Sequence, residues 1–246
     1  MNQFNTQVQS APAMDLGLRS FMLGTYRYMA MAMGVTAIVA YGFSVYLAGN
    51  PGLAQALYGG IWMWLGFIAV ITIGSSMVIK RLPTMSMGSM LAVLFGFAAL
   101  LGVFAAPIAV LATSSPESGA TVARVFLMAV AMFGGLSLFG YTTGFNLNSI
   151  IKYAGAIFTA YVLISIAGVA YEPLRIGGGM ETVFHIVGLV AIAGITAWET
   201  QKLKQTYYAV AGDASMQSKL SAFGAAFLLL SFYNIFVILM QLFGRD

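Results

Sequence analysis

Apolar residues in this chain run in long continuous blocks and do not alternate with polar ones. A window of about 19 residues picks out seven blocks, at roughly 25–47, 57–79, 87–111, 122–141, 151–170, 182–199 and 220–243. Each approaches or exceeds the ~20 helical residues needed to cross roughly 30 Å of hydrocarbon. Lipid offers no hydrogen-bond partners to the backbone, so spanning segments are helices or strands of a closed barrel, and barrel strands are short and alternating. The pattern therefore predicts an all-α, polytopic membrane protein with seven transmembrane helices. Turn formers and charges fill the gaps: Gly49 to Gly52, Lys80, Arg81 and Pro83, Ser114 to Pro116, Asn146 and Asn148, Glu172, Pro173 and Gly177 to Gly179, then a longer connection over 200–219. Pro107 is expected to kink or end the third helix.

Composition agrees with the pattern. Of 246 residues 60% are hydrophobic and 7% charged, whereas about a quarter of an ordinary soluble domain is charged. Mean hydropathy is +0.90. Two segments follow: a polar cytoplasmic tail over 1–23 and a seven-helix membrane domain over 24–246. The first twenty residues hold neither a basic stretch nor an apolar core, so they do not read as a secretory signal peptide.

Lysine and arginine give the orientation, because they concentrate in cytoplasmic loops. Arg19, Arg27, Lys80, Arg81, Lys152, Lys202, Lys204 and Lys219 fall on one side of a seven-span chain, and only Arg124, Arg175 and Arg245 on the other. Eight against three predicts a cytoplasmic N-terminus and an outer C-terminus. The asymmetry also accounts for the net charge of +4 without a nucleic-acid partner. The expected surroundings are a lipid bilayer.

Ionisable residues inside a span each ask for a reason, since insertion costs about 2.5–3.5 kcal/mol. Glu199 stands at the predicted end of the sixth helix in AWETQKLK, within reach of Lys202 at i+3. A glutamate at a helix C-terminus is disfavoured by the dipole, which argues against a mere surface role. Lys80, Arg81, Lys152, Lys202 and Lys204 read as side chains snorkelling to headgroups. His185 reads as an interfacial or hydrogen-bonded histidine. With no cysteine, a single histidine and scattered acids, the sequence assembles no transition-metal site. Oxygen ligands leave calcium open, with Glu199 a ligand candidate. No G-x-S-G turn supplies an intramembrane serine nucleophile, and Asp213 lies in a predicted loop without a second aspartate for a protease dyad. The chain is not expected to be an enzyme, and no cofactor is implied.

TAWETQKLKQTYY (196–208) is similar to the signature of the Bax inhibitor-1 (transmembrane Bax inhibitor motif) family, T-A-Y-D-T-Q-x-I-K followed by tyrosine. GLSLFGYTTGFNL (135–147) resembles the family's stretch at the end of span four, GLRSFMLGTYRYMA (17–30) its bacterial members' first span, and GAAFLLLSFYNIFVILMQLFG (224–244) its last span. The resemblance implies six helices around a central seventh, in a bacterial inner membrane, with a calcium leak set by pH. It also implies two aspartates, one from span six and one from span seven, that share a proton and latch the cytoplasmic side. Glu199 matches the first acid, Ser231 stands at the second, and Asn234 matches the family's asparagine. Gly144, Phe145 and Asn146 replace a K-R-D run. The resulting expectation is a pH-sensitive cation leak through Glu199, Ser231 and Asn234. In it, Lys80 or Arg81 holds the charged Glu199, and calcium is the transported ion. Two alternatives stand beside it: a regulatory partner of a membrane-anchored quality-control protease, acting through the tail, and a proton-coupled exchanger.

Overall fold

The computed structural model describes residues 4–244, with side chains described from Leu16 onward. Arg245 and Asp246, to which the C-terminal orientation refers, lie outside the described residues. Eight helices follow one another: α1 (Phe4–Ala48), α2 (Pro51–Tyr58), α3 (Ile61–Arg81), α4 (Met87–Ser114), α5 (Pro116–Thr142), α6 (Asn148–Ala170), α7 (Gly179–Ala209) and α8 (Ala214–Phe243). A 3-10 turn, Glu172–Leu174, precedes α7. Among the described residues there is no strand, and seven helices, all but α2, are long and apolar enough to cross a membrane.

The sequence places the spans correctly and several of their ends wrongly. The 1–23 tail is helical from Phe4, and the first apolar span begins at Leu16. The second span begins at Ile61, because Pro51 starts a separate short helix. The largest difference lies at 200–219. No long connection exists there: α7 continues to Ala209 and α8 begins at Ala214. Gly212, at φ +99°, reverses the chain in a conformation that favours glycine. The Asp213 side chain then caps α8, accepting from Met216 N at 2.9 Å. Ser86 and Ser115 cap α4 and α5 in the same way.

The central helix is α8. It packs against α1, α4, α5 and α7 and buries Leu228, Leu229, Ile235 and Ile238 almost completely. Close approach elsewhere rests on small residues, as expected in lipid. A Cβ on Gly102 would stand 2.7 Å from the Thr36 carbonyl oxygen, and Thr36 Oγ1 donates to Ala98 O at 2.9 Å, joining α1 to α4. Pro107 does not end α4. A proline at 107 cannot donate to the carbonyl four residues back, and the Tyr58 hydroxyl of α2 supplies the missing donor to Val103 O at 2.5 Å. By contrast, α3 has no buried residue. Its closest aromatic contact is Phe67 on Phe104 of α4, 4.1 Å between centroids.

Lys219, Arg27 and the Lys80–Arg81 pair are brought to one end of the bundle. Lys219 Nζ, at the start of α8, donates to Pro83 O in the α3–α4 connection at 3.3 Å. Thr25 of α1 meets Ser221 of α8 at 3.0 Å, two residues before Arg27.

Candidate functional site

Glu199 is not at a helix terminus. Ten further residues of α7 follow it, about 15 Å of helix at 1.5 Å per residue. The dipole argument made from the sequence therefore falls away, because that effect is confined to the last turn. Ser231 Oγ, 2% exposed on the central helix, donates to Glu199 Oε2 at 2.6 Å. This joins α7 to α8 with a short hydrogen bond of the charge-assisted kind when the carboxyl is ionised. Asn234, one turn beyond Ser231, is partly buried.

Lys80 and Arg81 stand elsewhere. Both are exposed at the end of α3, a helix that does not approach α7 or α8 closely. Among the described residues neither forms an ion pair with Glu199. The partner the structure gives the carboxyl is a hydroxyl.

Glu199 also lines a cleft of about 210 Å³ between α7 and α8, with Trp198, Lys202, Leu203, Phe223 and Phe227 among the other walls. Gly224 admits Leu203 here: a Cβ would meet Leu203 Cδ2 at 2.3 Å. Below the carboxyl the face of α7 is hydroxyl-rich and closed, with Thr196 and Thr200 fully buried and bonded to their own helix. Ser137 of α5 is buried, and its hydroxyl has no partner among the described residues.

The same two turns of α7 hold the α5–α6 connection, a function that the sequence reading missed. Gln201, 7% exposed, accepts from Leu147 N at 3.0 Å and donates to Phe145 O at 2.7 Å. Trp198 Nε1 donates to Asn148 Oδ1 at 2.8 Å. Lys204 does not snorkel: its Nζ donates to Tyr141 O at 3.2 Å and lies 5.1 Å from that ring's centroid. Trp198, Gln201 and Lys204 recur every third residue, so they share one helix face while Glu199 turns toward α8. That spacing is the signal available in the sequence. Gly140 lets the two helices meet, for a Cβ there would sit 2.1 Å from Ala197 O.

Toward the other end of α7, His185 is hydrogen-bonded, as one of its two sequence readings has it. Its Nδ1 and the Tyr161 hydroxyl of α6 lie 3.0 Å apart, and its Nε2 lies 3.8 Å from Glu181 Oε1.

Comparison with known proteins follows the same lines. A family model described as inhibitor of apoptosis-promoting Bax1 matches residues 18–246. The chain is 30% identical over 234 residues to the inner membrane protein YbhL of Escherichia coli strain K12, covering 93% of each protein. It is 29% identical over 260 residues to a Caulobacter vibrioides protein, covering all of this chain and 99% of that one. A Rickettsia prowazekii protein is 28% identical over 233 residues, covering 94% and 92%.

Proposed function

Since this chain belongs to the Bax inhibitor-1 family and is an integral membrane protein, we propose that it is a proton-responsive cation leak, with calcium the favoured ion and Glu199 the responsive group. The observation that carries this reading is the 2.6 Å bond from Ser231 to Glu199 between the central helix and α7, at the edge of a cleft. A carboxylate set this far along a span is the kind of group that marks ion pathways, and hard oxygen ligands suit calcium. Hydrogen bonds to an ionised carboxylate are roughly twice as strong as neutral ones. Protonation of Glu199 therefore weakens the clasp between α7 and α8, so low pH favours opening. Because Ser231 stands where a second acid would share the proton, the response follows one titration and not two coupled steps.

Calcium flux into liposomes holding only the purified protein tests this, measured between pH 5 and 8. Flux is expected to rise as pH falls, and Glu199→Gln to flatten that dependence. Ser231→Asp places a second carboxyl beside the first, and is expected to broaden the response into two coupled steps. A Glu199→Gln protein with unchanged flux and pH profile would overturn the reading.

The basic end of the bundle faces the cytoplasm in this proposal, following the eight-to-three distribution of lysine and arginine. The N-terminus is then cytoplasmic and the C-terminus outside. A reporter fused after Asp246 is expected to read as external, and a cytoplasmic reading would reverse the assignment.

A further inference from the structure

The cleft between α7 and α8 carries two opposite charges that do not meet each other. Glu199 and Lys202 both line it and stand one turn apart on α7, a spacing that leaves ~5–6 Å between Cβ atoms. Among the described residues they form no ion pair with each other, and the exposed Lys202 forms none elsewhere. Ser231 occupies Glu199 Oε2, and Oε1 accepts from no described residue. That oxygen is not sealed in. Among the described residues the Ser137 hydroxyl is the one buried side-chain polar atom without a partner, so Oε1 opens to the cleft.

The other walls are apolar. Trp198, Leu203, Phe223 and Phe227 line the same space, and the two phenylalanine rings meet edge to face at 4.9 Å between centroids. All four are partly exposed, so the cleft opens on the outside of the bundle. Its depth is that of a lipid headgroup. Glu199 lies 20 residues beyond Gly179, the first residue of α7, about 30 Å along the helix, which is the thickness of the hydrocarbon core. Trp198 and Lys202 are also residue types that gather at the membrane interface.

These walls select a ligand by charge. A headgroup with only an anion is repelled by Glu199, and one with only a cation is repelled by Lys202. A zwitterion joined to an apolar chain satisfies both. Phosphoethanolamine has its nitrogen two carbons from its phosphate oxygen, a separation suited to two side chains one helical turn apart. Its primary ammonium donates hydrogen bonds, which the free Oε1 requires and a quaternary nitrogen cannot supply. The cleft of about 210 Å³ has the volume of about seven waters at ~30 Å³ each, enough for the eight non-hydrogen atoms of this headgroup.

We infer that the α7–α8 cleft binds a phospholipid with a phosphoethanolamine headgroup. The ammonium sits on Glu199, the phosphate on Lys202, and the start of one acyl chain between Leu203 and the two phenylalanines. The site shares Glu199 with the proposed leak but requires neither conduction nor a response to pH.

The test is native mass spectrometry of the full chain after it is offered equal amounts of phosphatidylethanolamine, phosphatidylcholine and phosphatidylglycerol with identical acyl chains. The natural chain is expected to retain phosphatidylethanolamine over each of the others by about tenfold, the worth of one hydrogen bond to a charged group. Glu199→Gln is expected to bring phosphatidylethanolamine and phosphatidylglycerol within about threefold, because the attraction between opposite charges is gone. Lys202→Gln is expected to lower retention of all three by about tenfold, through loss of the phosphate contact. Lys152→Gln removes the same charge from an exposed lysine away from the cleft and is expected to change nothing. No preference in the natural chain, a full preference kept by Glu199→Gln, or a loss in Lys152→Gln as large as in Lys202→Gln would each overturn the site. A chain that conducts without preferring this lipid would keep the leak reading and lose this one, and a chain that prefers the lipid without conducting would do the reverse.

Discussion

Gly140→Val is expected to destabilise the folded bundle by at least about 3 kcal/mol. Overpacking of a well-filled interior usually costs about 1–3 kcal/mol, because neighbouring side chains can shift. Here the neighbour is backbone: the first carbon of any side chain at 140 would stand 2.1 Å from Ala197 O and 2.9 Å from its carbonyl carbon. Relief requires α5 and α7 to separate, and that separation also disturbs the turn of α7 that carries Trp198, Glu199 and Gln201. Gly140→Ala should fall between valine and the natural chain, since the clash begins at Cβ. Gly135→Ala is the matched control, because a Cβ there meets nothing within 4 Å and helical alanine is favoured over glycine by about 1 kcal/mol. Thermal unfolding in detergent measures all three. A valine variant melting with the natural protein would show that this contact does not determine the packing.

Gln201→Leu is expected to cost about 1–3 kcal/mol. Leucine occupies similar space but abandons both Leu147 N and Phe145 O, and a buried polar group left unpaired costs about 1–3 kcal/mol. Leu147 is only 4% exposed, so water cannot easily replace the lost partner, whereas Phe145 is exposed to solvent. Amide exchange at Leu147 gives a local measure, and is expected to accelerate in Gln201→Leu before global unfolding. Unchanged exchange and stability would mean that the clasp on the connection is incidental.

What the sequence made legible follows from the scale of each interaction. Spans are set by hydrophobicity summed over about 20 residues, a signal far larger than any single contact, and all seven reappear as long apolar helices. Helix ends depend on single residues. The extension of α7 through 201–206 is hidden because a polar stretch of helix looks like a loop on a hydropathy scale. The site divides in the same way. Glu199 and Ser231 sit on neighbouring helices and meet, a pairing that the family signature locates and periodicity alone does not. Lys80 and Arg81 were attractive partners on charge alone, but the position of α3 keeps them apart from the carboxyl. Gln201 carries no charge to draw attention, although its two bonds tie the α5–α6 connection to α7.

The isolation of α3 has a consequence for the bilayer itself. With no buried residue, this helix meets the bundle only through partly buried side chains such as Phe67 and Val78. Its 21 residues extend about 31 Å, close to a typical hydrocarbon thickness of roughly 30 Å. Trp62, 81% exposed, stands near one end, and Lys80 and Arg81 stand at the other, residue types that anchor at the two interfaces. The longer α4, α7 and α8 are fixed by one another and do not adjust freely. In a thicker or thinner membrane, α3 is therefore the helix that changes tilt first, at a modest free-energy cost per ångström of mismatch. The α3–α4 connection, tied to α8 by Lys219 and Pro83, is where a change in that tilt would meet the rest of the bundle.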